Sequence, residues 1–105
     1  MKFKKRLDTK YLYLVHKDLQ GKTLQQLYIE ARRQGNFDTG YHFVLFNNGF
    51  LEADRNVDCV ADCNFENNEE AIYVLVDSQG KLSDSQRLTL REFLNNYKTL
   101  EVKNE

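Results

Sequence analysis

Apolar residues along this chain fall into two patterns. Tyr11-Leu12-Tyr13-Leu14-Val15-His16, Tyr41-His42-Phe43-Val44-Leu45-Phe46 and Ala71-Ile72-Tyr73-Val74-Leu75-Val76 are short continuous runs rich in β-formers. Such runs predict strands buried on both faces, and the third is the clearest. Leu24, Leu27, Tyr28 and Ala31 instead recur at i, i+3, i+4 and i+7, the spacing of a helix with one apolar face. Leu90, Phe93, Leu94 and Tyr97 repeat it. Both helices have a start signal: Thr23-Leu24-Gln25-Gln26 and Ser83-Asp84-Ser85-Gln86 read as capping boxes. Gly35 sits where a helix C′ residue is expected. Asn47-Asn48-Gly49 predicts a type I′ hairpin turn leading into the returning strand Phe50-Leu51-Glu52-Ala53. Asp18 to Lys22 and Asp77 to Gly80 read as turns. The polar, asparagine-rich stretch from Asp54 to Glu70 predicts a long loop, with room for one short strand around Val57 to Ala61. The charged tail from Thr99 to Glu105 is expected to fray or to add one edge strand. The order β-α-β-β-loop-β-α predicts an α/β protein with a central mixed sheet flanked by helices.

Composition narrows the function classes. At 105 residues and 12.4 kDa the chain is expected to form a single domain over 1–105. Fifteen basic residues face sixteen acidic ones, for a net charge of −1. That balance gives no general attraction to nucleic acid or to an anionic membrane. No run of about 18 apolar residues occurs, so no membrane-spanning helix is expected. The basic start, Met1 to Arg6, is followed by Leu7-Asp8-Thr9-Lys10, which interrupts the apolar core a signal peptide needs. Cys59 and Cys63 are too few for a disulfide framework and read as free thiols in a reducing compartment. A cytoplasmic location is expected.

Three pieces in order carry a resemblance. Leu14-Val15-His16 ends the first strand, Gly40-Tyr41-His42-Phe43 begins the second, and Glu52-Ala53-Asp54-Arg55 follows the Asn48-Gly49 hairpin. Together, over roughly Tyr11 to Tyr97, the chain resembles the zinc-dependent N-acetylmuramoyl-L-alanine amidases. That family includes short phage lysozymes and the animal peptidoglycan recognition proteins. The resemblance implies a mixed sheet with helices packed on it. It places His16 on the family's first zinc ligand and Tyr41 on the tyrosine beside the metal. Zinc makes hydroxide near neutral pH and polarises the amide carbonyl, and a phenol can hydrogen-bond the developing oxyanion.

The departures from the pattern bear on activity. The family's second histidine, its cysteine or aspartate ligand and its catalytic lysine follow the last helix, where this chain holds only Thr99-Leu100-Glu101-Val102-Lys103-Asn104-Glu105. Cys63 falls where many members carry a loop histidine. A catalytic zinc takes three protein ligands and keeps one position open. Only His16 stands in its expected place, so it is a metal ligand only if zinc is retained. A set rebuilt from His16, Cys63 and Asp62 or Glu70, or from His16, Cys59 and Cys63, has no supporting spacing. His42, inside a strand, is expected to pack or hydrogen-bond. Asp58/Asp62, Glu69-Glu70, Arg32-Arg33 and the N-terminal basic residues read as solvated surface.

The expected function is that of a pseudoenzyme of amidase fold, encoded by a phage or mobile element, that needs no cofactor and works by binding. Its binding residues would be His16, Tyr41 and Cys63, with Tyr41 a vestige of the catalytic site. Its partner would be a host or phage protein that it inhibits, or a muropeptide. A protein partner is preferred, because Phe37, Phe50 and Phe65 could anchor an interface. The alternative is an active amidase that cleaves the muramoyl–L-alanine amide with zinc.

Overall fold

A computed structural model describes residues 9–35, 39–55, 71–96 and 101–104. Its elements are β1 (Tyr11–Lys17), α1 (Leu24–Arg33), β2 (Phe43–Leu45), β3 (Leu51–Ala53), β4 (Ala71–Asp77), α2 (Asp84–Leu94) and β5 (Glu101–Asn104). The five strands form one mixed sheet in the order β3-β2-β4-β1-β5. β1 is parallel to both β4 and β5, β2 is parallel to β4, and only the β2–β3 hairpin is antiparallel. The expected α/β fold with a central mixed sheet is therefore present. The tail adds its edge strand, pairing Tyr11 with Glu101 through Leu14 with Asn104.

β4 has its first six residues, Ala71 to Val76, fully buried, as a run without alternation requires. One face of the sheet packs Leu12, Leu14, Leu45, Ile72, Val74 and Val76 against α2 through Leu90, Phe93 and Leu94. The other packs Val15, Val44, Leu75 and Leu19 against Leu24 and Leu27 of α1. Beyond α1 that face continues as Tyr13 stacked on Tyr73, with ring centroids 4.9 Å apart. α2 buries Leu90 and Gln86, whereas α1 has no fully buried residue. Both capping boxes are formed, and Gly35 follows the cap residue Gln34 with φ +84°.

Two local expectations are corrected. The hairpin turn is not type I′, since Asn48 keeps a negative φ and only Gly49 is left-handed, at +90°. Gly49 N–H donates to Phe46 O (2.9 Å) and Phe46 N–H to Phe50 O (2.9 Å), so three residues span the turn. A three-residue connection places its glycine at the left-handed position that closes the hairpin. β2 is also shorter than the run from Tyr41 to Phe46. His42 takes the place of a ladder residue: its N–H donates to Tyr73 O (2.9 Å) and its Nδ1 accepts from Tyr73 N–H (3.0 Å). His42 is fully buried, as expected of a packing histidine. The loop strand around Val57 to Ala61, with Tyr97, Cys59 and Cys63, lies outside the described residues. Among the described residues no helix is long and apolar enough to cross a membrane.

The hairpin tip is held by α2. Gln86 is fully buried, and its Nε2 donates to Asp77 O (2.9 Å), Phe46 O (3.3 Å) and Leu45 O (3.4 Å). Its Oε1 accepts from Ser83 N–H at 3.0 Å. Ser83 Oγ donates to Asn47 O (2.8 Å) and Thr89 Oγ1 to Gly49 O (2.5 Å). A Cβ on Gly49 would meet Ser85 Cβ and O at 2.8 Å.

Replacing Gln86 by Leu should therefore lower stability by about 2–3 kcal/mol, because buried carbonyls lose their donor. The same change at exposed Gln25 should stay within about 0.5 kcal/mol. Urea unfolding of the two variants side by side tests this, and equal midpoints would show that Gln86 does not tie the elements together.

Candidate functional site

β1 alternates its side chains across the sheet. Val15 and Lys17 face α1, and Leu12 and Leu14 face α2. The same pleat turns His16 to the α2 side. There His16 Nδ1 lies 2.5 Å from Ser78 Oγ, which also accepts Gly80 N–H at 3.2 Å. Ser78 is nearly buried, and its N–H donates to Lys17 O at 3.1 Å. His16 is thus part of the turn that closes β4.

Tyr41 sits on the opposite face. It packs against the clusters around Tyr13–Tyr73 and Val44–Leu75. With Lys17, Leu27, Glu30, Ala31, Gln34, Thr39 and Leu75 it lines a cleft of about 140 Å³ between α1 and the sheet. His16 is not among the residues that line this cleft. Cys63, the third expected binding residue, lies outside the described residues.

The segment that carries Tyr41 is clamped from across the hairpin. The β2–β3 register pairs Phe43 with Ala53, which brings residue 54 beside His42. Asp54 N–H donates to His42 O (2.9 Å) and Arg55 N–H to Tyr41 O (3.2 Å). Asp54 Oδ2 accepts from both Thr39 N–H (3.2 Å) and Thr39 Oγ1. Thr39 Oγ1 in turn accepts Tyr41 N–H at 3.3 Å. Among the described residues, Asp54 Oδ1 is buried with no hydrogen-bond partner. Thr39 and Lys17 were not singled out from the sequence, and Asp54 entered only within the Glu52-Ala53-Asp54-Arg55 piece of the resemblance, with no role given to it. Their signal was positional: Asp54 follows the hairpin at the distance that pairs it back to the Thr39–Tyr41 segment.

A second depression is polar. Asp18, Gly21, Asn47, Asp77, Ser78, Gln79 and Lys81 line it at the carboxyl ends of β1 and β4. Its carboxylates serve the backbone: Asp77 Oδ1 accepts Leu19 N–H (3.0 Å) and Asp18 Oδ1 accepts Gln20 N–H (2.9 Å). The second bond supports Gln20 at its left-handed φ of +55°.

A catalytic zinc needs three protein ligands. Among the described residues, no three of His, Cys, Asp or Glu stand together so as to hold a metal ion. The described donors do not fit that metal.

No family model matches the chain, and no curated protein does. Solved structures do. N-acetylmuramoyl-L-alanine amidase LysC from Clostridium intestinale URNW superimposes with a TM-score of 0.74 at 16% identity, over 99% of this chain and 78% of that one. Drosophila peptidoglycan recognition protein SD gives 0.79 at 12% identity, over 99% and 73%. A Drosophila PGRP-LB variant in complex with tracheal cytotoxin gives 0.76 at 10% identity, over 98% and 73%. The chain has the fold shared by these amidases and recognition proteins.

Asp54→Ala should lower stability by about 1 kcal/mol, since the loss of bonds to a carboxylate outweighs the relief of burying an unpaired oxygen. It should also speed amide exchange at Tyr41, whose N–H depends on Thr39. Hydrogen-exchange NMR of the variant reads both, and unchanged Tyr41 protection would show that the clamp does not hold the cleft wall.

Proposed function

We propose that this chain binds a peptidoglycan fragment in the Tyr41 cleft and does not cut it. The reading rests on strand alternation, which turns His16 to the α2 side, where its Nδ1 lies 2.5 Å from Ser78 Oγ, while Tyr41 lines the cleft on the α1 side. Zinc-assisted amide hydrolysis needs metal, water and the carbonyl-polarising group converging on one bond, with reacting atoms about 3–3.5 Å apart. A histidine committed to Ser78 on the far face does not join Tyr41 in that task. Binding asks for less. A cleft floored by Leu27, Ala31 and Leu75 and rimmed by Tyr41, Thr39 and Gln34 offers apolar contact plus a few oriented polar groups.

The fold supports the same class of ligand, because a recognition protein with this architecture holds tracheal cytotoxin. A muropeptide is now preferred to the protein partner. Of the three aromatics expected to anchor an interface, Phe50 is the one among the described residues, and it is 58% exposed. Phe37 and Phe65 lie outside the described residues. The chain would act as a receptor for the fragment, and it needs no cofactor in that role.

Calorimetry with a muramoyl peptide should show saturable binding that zinc does not alter. Tyr41→Ala should weaken it by about tenfold or more, as truncating an aromatic anchor does, and His16→Ala should change it by less than about twofold. Circular dichroism would confirm that both variants fold. Zinc-dependent release of the peptide, lost in His16→Ala, would instead establish the active amidase.

A further inference from the structure

The charges lining the Tyr41 cleft are unequal in their commitments. Among the described residues that line it, two are charged, Lys17 and Glu30. Glu30 is neutralised by Lys22, whose Nζ lies 2.7 Å from Glu30 Oε1. Lys17 has no carboxylate within ion-pair distance among the described residues. Asp77 is its register partner on β4, and the pleat points both to one face, but Asp77 Oδ1 is engaged by Leu19 N–H at 3.0 Å. Asp18, the next residue along, turns its carboxylate to Gln20 N–H. The ammonium of Lys17 is therefore the uncommitted charge at the rim of an otherwise apolar and hydroxyl-bearing cleft.

The cleft's size restricts what can enter. About 140 Å³ seats one short side chain or chain terminus of a ligand. Its floor of Leu27, Ala31 and Leu75 suits a short aliphatic stem. Its rim suits a group that accepts hydrogen bonds from Lys17 Nζ or the Gln34 side chain. A carboxylate on a two- or three-carbon stem meets all three conditions. An ammonium head would meet the free Lys17 charge.

We propose that Lys17 is the specificity-determining residue of the cleft, selecting a ligand that presents a free carboxylate on a short aliphatic arm. This rests on the peptide-binding reading above and names the part of the peptide that enters: an acidic residue or terminal carboxylate. Lys17 positions no catalytic step. It discriminates between acid and amide at one point of the ligand.

The test uses two probes with the full chain: a muramoyl–alanyl–glutamate with free carboxylates, and the same compound with those carboxylates amidated. The wild-type chain should bind the acid about tenfold more tightly, the scale of one charge-assisted hydrogen bond. Raising salt should shrink that preference. Lys17→Met should bind both probes alike, near the amide's affinity, and Lys17→Arg should restore the preference for the acid. Lys17 is exposed, so these variants are expected to fold. If Lys17→Met keeps the full preference, the assignment to Lys17 is wrong while fragment binding stands. If the wild type binds the two probes equally, carboxylate selection is wrong at this cleft. If it binds neither, the peptide-binding reading falls and this proposal with it.

Discussion

β4 lies between β1 and β2 and buries six consecutive side chains, so both faces of the sheet must be roofed before the strand can be stable. The chain meets that demand through the handedness of its crossovers. From β1 to β2 it steps one way along the sheet, passing over β4, and α1 makes the crossing. From β4 to β5 it steps the other way, passing over β1, and α2 makes that crossing. Parallel crossovers are right-handed, so two crossings in opposite directions put their helices on opposite faces. The side chains follow: leucine, isoleucine and valine meet α2, valine and leucine meet α1, and the stacked Tyr13–Tyr73 pair extends the α1 face.

The carbonyl ends of these parallel strands are where that scheme is weakest, because the ladder stops there and leaves acceptors unpaired. Gln86 answers this with one side chain. Its oxygen completes the capping box of α2, and its amide nitrogen reaches the carbonyls at the ends of β2 and β4. A fully buried primary amide would cost several kcal/mol without partners, so its hydrogen bonds make it tolerable there. They also fix the start of α2 against the hairpin tip, where the Gly49 turn has no room for a side chain. His42 does similar work at the other end of β2, replacing a backbone acceptor with a ring nitrogen.

Much of this was legible in the chain, for reasons that differ by element. Period and capping chemistry are local, so the two helices, their caps and the β4 run could be read directly. Fold class followed from the order of elements, and the motif resemblance agreed with it. The turn type failed because Asn-Gly permits a two-residue I′ turn but does not demand one. The added residue, Asn47, was itself polar and gave no warning. The candidate site was less legible. Tyr41 was found by its motif and does line a cleft. Lys17 and Thr39, and the clamping role of Asp54, became visible only through the pairing of β2 with β3 and of β1 with β4, which sequence spacing does not supply.

The placement of His16 turns on a single residue of phase. A strand has a period of two, so His16 and Lys17 cannot both face the cleft. The hydrophobic pattern decides which one does: Leu12 and Leu14 belong to the α2 core, Tyr13 and Val15 to the α1 side, and a one-residue slip would send each set to the wrong face. The position that ends β1 on the cleft side is therefore lysine. A protonated amine has no lone pair to give a metal, but it carries three donors for an anion. The same pleat that withdraws the histidine from Tyr41 thus delivers a cation to it. The proposed recognition of a carboxylate rests on that exchange.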